Sequence, residues 1–205
     1  MKIAFKISTM RKILILPILL TFIHCASVKK EPLPDYVIGI QNKNTFKKVP
    51  LKEVQVVFPG AEIYIKDKNK TEIENTRKQI QFFVLSELEK ILHKKTYANL
   101  ELMSKDNLTI NKVLESISYK KYLHPEWIVK APKEIINKRK KYSLLFNMYG
   151  SRSDYDGGIF FFYIINNETE IIEKIIRREI DSNPLDKTMI ISRIKRYIPK
   201  LIDLK

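Results

Sequence analysis

Between Thr71 and Lys94 the chain repeats Ile73, Ile80, Val84, Leu88 and Ile91 at helical spacing, with Phe83 and Leu92 beside them. Residues three, four and seven positions apart share one face of an α-helix, so these side chains form a single long apolar stripe. Thr71 and Glu74 supply a T-x-x-E capping box in front of it, and the pattern predicts a helix from about Glu72 to Lys94. Such a stripe must be covered, and it is wide enough to lie across a sheet. A sheet needs strands, and the sequence offers them.

Candidates for those strands are spread along the rest of the sequence. Glu53 to Phe58 and Glu62 to Ile65 are β-rich runs separated by Pro59 and Gly60, and they read as one strand or a bent pair. Asn99 to Met103 is a further strand. "YSLLFNMYG" and "IFFFYII" flank the hairpin loop "SRSDYDGG", whose glycines are expected to supply positive φ, and "NNET" is a turn. Over Glu170 to Ile180 the pairs Ile171/Ile172 and Ile175/Ile176 fit a helix, yet the turn before them and the β-branched content favour a strand, which is the expectation. Asn107 caps a second helix with Ile110, Val113, Leu114 and Ile117 on one face. "YLHPEW" is a loop broken by Pro125, and Pro132 opens a short basic helix to about Lys141. Asn183 and Pro184 start a last helix that turns Ile190, Ile194, Tyr197, Ile198 and Leu201 inward, with Pro199 kinking or ending it. A strand–helix–strand unit leading into antiparallel strands makes a single mixed β-sheet with helices packed on it, an α+β or α/β fold.

The order loosely resembles the α/β domain shared by curli-secretion-channel-type lipoproteins and TolB N-terminal-type periplasmic domains. Leu100 to Leu114, a strand leading to a helix, and Lys141 to Gly150, a basic helix end leading to an apolar strand, carry that resemblance. It concerns element order over roughly Val54 to Leu201 and implies no pore.

The chain before the domain has a different character. Arg11 and Lys12 precede the 11-residue apolar run Ile13 to Ile23, and the only cysteine of the chain, Cys25, stands just after it. At a rise of about 1.5 Å per residue this run covers roughly 16 Å as a helix, half of a hydrocarbon core of about 30 Å. It resembles a bacterial lipoprotein signal peptide, in which the cysteine becomes the lipidated first mature residue. That resemblance implies residues 1–24 as signal peptide, 25–50 as lipidated, palmitate-bearing N-terminus and tether, and 51–205 as the globular domain. Met1 and Met10 are both possible starts. An ordinary signal-peptidase site, with Cys25 and Ser27 as its small residues, would instead cut before Val28. Pro32, Pro34 and Pro50 keep the tether extended, and Lys29 and Lys30 would lie close to head groups.

Composition narrows the chemistry. The chain is 44% hydrophobic and carries a net charge of +15. Lys2, Lys6, Arg11 and Lys12 precede Cys25 with no acid among them, so the remainder carries +11. A basic protein favours anionic partners. The basic runs "KKTY", "SYKKY" and "NKRKKY" interleave lysine with tyrosine, as in nucleic-acid binders, but export would remove that partner and leave anionic lipid or glycolipid phosphate. A lone cysteine makes neither an internal disulfide framework nor a cysteine zinc site. No H-E-x-x-H, G-x-S-x-G or P-loop is present.

Of the three histidines, His24 lies in the leader and His93 ends the long helix. His124 with Glu126, beside the sole tryptophan Trp127, is the conceivable acid–base pair. Asp154 and Asp156 alternate with Ser151 and Ser153 in a manner that suggests a cation, without the spacing of a calcium loop. The expectation is a non-enzymatic envelope lipoprotein, without cofactor, on the outer membrane and facing the periplasm. It would be anchored through Cys25 and would serve as an interaction or assembly module for other envelope proteins. The alternative is a secreted enzyme or metal-binding protein working from Asp154 and Asp156. A cytosolic nucleic-acid binder would have to retain and fold residues 1–27.

Overall fold

The computed structural model describes residues 37–40, 46–57, 59–93, 107–136 and 138–205. The leader, Cys25, the lysines at 29 and 30 and the expected strand Asn99 to Met103 lie outside the described residues. In chain order the elements are β1 (Val37–Ile40), β2 (Val49–Pro50), β3 (Val54–Val56), β4 (Gly60–Ile65), α1 (Lys70–Leu92), α2 (Asn107–Leu123) and β5 (Trp127–Val129). They continue with β6 (Tyr142–Arg152), β7 (Gly157–Asn166), β8 (Ile171–Ile180), α3 (Lys187–Leu201) and β9 (Ile202–Asp203).

The main sheet is mixed. β6, β7 and β8 form an antiparallel meander, and β3 and β4 both pair parallel to β6 on its other edge. β3 and β4 are thus one edge strand broken between Val56 and Gly60, where Pro59 cannot donate to the ladder. Two small pairings complete the sheet structure: β1 with β5, antiparallel, and β2 with β9, parallel. Both lie partly within residues 25–50, the segment read as a tether, and Val49 is buried in the core.

Alternation along β6 and β7 explains the all-apolar run. Leu144, Phe146 and Met148 with Phe160, Phe162 and Ile164 face α1 and α3. Leu145 with Phe161, Tyr163 and Ile165 faces the opposite way, towards α2, β5 and Ile135. A strand covered on both faces has no polar face to show, which is why "IFFFYII" lacks the half-polar pattern of a surface strand.

Local chemistry moves several boundaries. α1 begins earlier than the Thr71–Glu74 reading, because Asn69 is the cap. Its side chain accepts from Glu72 N–H while the Glu72 carboxylate accepts from Asn69 N–H. Lys68 and that N–H hold the Glu72 carboxyl below its ordinary value. α1 ends at His93, a left-handed cap with φ of 50°. The helix expected from Pro132 to Lys141 is only a 3-10 turn over Lys133–Ile135. Pro184 forms a turn rather than the first residue of α3, which Asp186 caps through Thr188 and Met189 N–H. α3 then runs two residues beyond Pro199.

The hairpin glycines also act otherwise than expected. No described glycine has positive φ; Asp67, His93 and Glu170 hold the left-handed positions. Gly158 permits close approach instead, since a Cβ there would sit 2.5 Å from the Tyr149 carbonyl oxygen and 3.0 Å from Pro184 Cβ.

Candidate functional site

The turn after α2 gathers one constellation. His124, Pro125 and Glu126 reverse the chain and Trp127 begins β5. The His124 ring stacks on Trp127 at 4.1 Å and 10°, and its Nδ1 lies 3.4 Å from Glu126 Oε1. The sequence pair is therefore a spatial pair. Lys121 turns inward beneath it, its ammonium donating to the carbonyls of Trp127 and Pro125. Burial pushes the Lys121 pKa down, and the nearby Lys174 adds to the effect. Lys121 thereby closes the turn, and the tryptophan holds the imidazole flat on the surface.

A depressed lysine makes a signed prediction. In the unfolded chain Lys121 regains its ordinary value, so between the folded and unfolded pKa the unfolded state binds more protons and stability rises with pH. The native protein is expected to gain melting temperature relative to Lys121→Met when the pH is raised from neutral towards the ordinary lysine range. Parallel thermal melts at the two pH values measure this; an unchanged gap would contradict it.

The second candidate sits elsewhere. Asp154 Oδ1 pairs with Lys66 Nζ at 2.7 Å, and Asp156 Oδ2 lies 3.8 Å from Arg152 Nε. Each aspartate neutralises a cation at the end of β4 or β6. Among the described residues no three His, Cys, Asp or Glu side chains come together as a metal site. The hairpin lies where Gly158 pairs with Ile180, whereas β5 meets β8 at its opposite end, through Lys130 and Ile171. A ten-residue strand spans roughly 30 Å, so His124 and Glu126 do not share a site with Asp154 and Asp156.

Two features had no motif to announce them. Asn147, Phe161 and Arg177 occupy one row across β6, β7 and β8 on the α2 side of the sheet. Asn147 is fully buried, with Nδ2 donating to Tyr149 Oη at 3.2 Å and Oδ1 left without a partner among the described residues. Arg177 pairs with Glu179 at 2.5 Å and lies over the Tyr122 ring at 5.2 Å. The only trace of this row in the sequence is one asparagine inside an apolar strand.

The other feature is the outer face of α3. Lys187, Arg193, Lys195, Arg196 and Lys200 are spaced along the helix without forming a run, so a search for consecutive lysines passes over them. The runs singled out from sequence are arranged differently. "KKTY" begins at residue 94, outside the described residues. In "SYKKY" Lys121 is buried, and in "NKRKKY" Lys138 and Lys141 pair with Glu170 and Glu168. No helix among the described residues is long and apolar enough to cross a membrane.

No protein-family model matches the chain, and no curated protein matches it. Among solved structures it is similar to the crystal structure of a Helicobacter pylori protein provisionally described as a neuraminyllactose-binding hemagglutinin homolog. The identity is 11%, the match covers 80% of this chain and 94% of that one, and the TM-score is 0.38. A likeness at that level assigns neither fold nor function.

Proposed function

We propose that this chain is a bacterial cell-envelope lipoprotein, anchored through Cys25, whose α+β domain is a non-enzymatic interaction or assembly module facing the periplasm from the outer membrane. The observation that carries the reading is the leader: a basic start, an 11-residue apolar run and the sole cysteine directly after it. Lipid attachment gives that cysteine a role that needs no second thiol. The separation of the two candidate sites keeps His124 and Glu126 from acting with Asp154 and Asp156 on one substrate, since acid–base work needs its groups within hydrogen-bond reach of it.

The test is the intact mass and N-terminus of the mature protein recovered from the membrane fraction. The expected product begins at Cys25 and is heavier than its polypeptide by the attached acyl groups. A mature chain beginning at Val28 without lipid would replace the anchor by ordinary secretion. A retained leader in a soluble protein would end the envelope reading altogether.

A further inference from the structure

α1 and α3 pack on the same face of the sheet yet differ in charge design. α1 balances Lys70, Arg77, Lys78 and Lys90 against Glu72, Glu74, Glu87 and Glu89. Its Arg77 and Lys78 lie within 4.0 Å of Glu74, and its Lys90 is equally close to Glu87. α3 carries its five cations with no acid at all. Its apolar residues Ile190, Ile194, Tyr197, Ile198 and Leu201 are committed to the core, so the cations are left to the outside. Lys187, Lys195, Arg196 and Lys200 are exposed, and so is Arg178 on the neighbouring β8.

Three of these charges gather at one point. Arg178, Lys200 and Arg196 lie 5.0, 5.1 and 5.8 Å from the centre of the Tyr197 ring. One ring quadrupole attracts a cation but does not neutralise three. Among the described residues, none of Arg178, Arg193, Lys195, Arg196 and Lys200 has a carboxylate within 4.0 Å. The acids nearest α3 in sequence are otherwise engaged: Asp186 accepts from Thr188 and Met189 N–H, and Asp203 from Lys205 N–H. Like charges held this close, with no counter-charge within 4.0 Å among the described residues, suit a surface that meets external anions.

We propose that the outer face of α3, with Arg178 of β8, docks on the phosphate head groups of an anionic bilayer. The choice of a bilayer rests on the proposed lipid anchor, which commits the domain to a membrane surface. Among the described residues β2 lies beside β9, at the C-terminal end of α3. Fifteen helical residues extend over roughly 22 Å, enough for several head groups to be met at once. Attraction of each Lys or Arg to an acidic leaflet is cumulative and is screened by salt.

The test uses the full chain carrying Cys25→Ser, so that no attached lipid contributes and the outcome does not depend on the anchor. It is sedimented with vesicles of phosphatidylcholine alone and of phosphatidylcholine mixed with phosphatidylglycerol. The comparison is with the same chain bearing Arg178→Gln, Arg196→Gln and Lys200→Gln. Removal of three cations should weaken binding to the anionic vesicles about 100-fold, leave binding to neutral vesicles unchanged, and cease to matter in high salt. The leader is common to both chains and cancels in the comparison. Should the triple variant melt early, Lys195→Glu, at an exposed position making no ring contact, is expected to weaken anionic binding in the same sense. Equal binding of native and variant chains to anionic vesicles would overturn the proposal. So would cation-dependent binding to a nucleic acid or an acidic protein with none to the vesicles.

Discussion

Leu88→Asp should abolish the folded state. Leu88 is fully buried on α1, between Val84 and Leu92 on the same stripe and against the apolar face of β6 and β7. An aspartate there either stays ionised in an apolar surround or takes up a proton, and both cost free energy. The penalty is several kcal/mol, with the lost leucine packing in addition, against a total stability of about 5–15 kcal/mol for a domain of this kind. The expected result is loss of near-ultraviolet circular dichroism and of a cooperative thermal transition. Ser86→Asp, on the exposed side of the same helix, should leave the melt essentially unchanged. If Leu88→Asp shifted the midpoint by only about two degrees, Leu88 would not be facing this core.

Cys25→Ser is expected to remove the lipid anchor, leaving only the reversible, salt-sensitive contact of the basic surface. Acyl transfer needs a thiol, and the chain has no other cysteine to substitute for it. Each buried methylene contributes about 0.8 kcal/mol, so two or more acyl chains hold a protein where the basic surface alone holds it reversibly. The variant should take up no labelled fatty acid, leave the detergent phase on phase separation and keep its leader, because lipoprotein cleavage follows acylation. His24 departs from the small residue usual before such a cysteine. Fatty-acid labelling that persists in the serine variant would place the lipid elsewhere.

Elements with a strong period of their own are legible in the sequence. The α1 stripe and the inward face of α3 follow from helical spacing, β6 and β7 from apolar runs bounded by turn residues, and β8 from its preceding turn and β-branched content, against an isoleucine spacing that also fits a helix. Boundaries are less legible where a side chain chooses between two backbone partners. Asn69 displaces Thr71 as the cap since its amide reaches Glu72 N–H and the Glu72 carboxylate reaches back. The glycines at 157 and 158 read as turn formers, but the contact that requires Gly158 is the Tyr149 carbonyl oxygen of the facing strand, with Pro184 crowding the same position. His124 and Glu126 meet because the turn is local. The charge surface on α3 escapes a linear reading because its members are neighbours only once the helix is formed and laid beside β8.

The pairing of β2 with β9 has a kinetic meaning. It joins a strand near the start of the domain to its last one, and β3 meets β6 through Gln55 and Ser143, 88 positions apart. Contacts of such separation must pay loop-closure entropy before they return any stability, so native structure of this topology forms late and slowly. The edge of the main sheet cannot close while Tyr142 onward is still unmade, and β2 waits for the last few residues. In the envelope role proposed above such slow closure would be useful, since the polypeptide would reach the translocation machinery before it had anything to unfold.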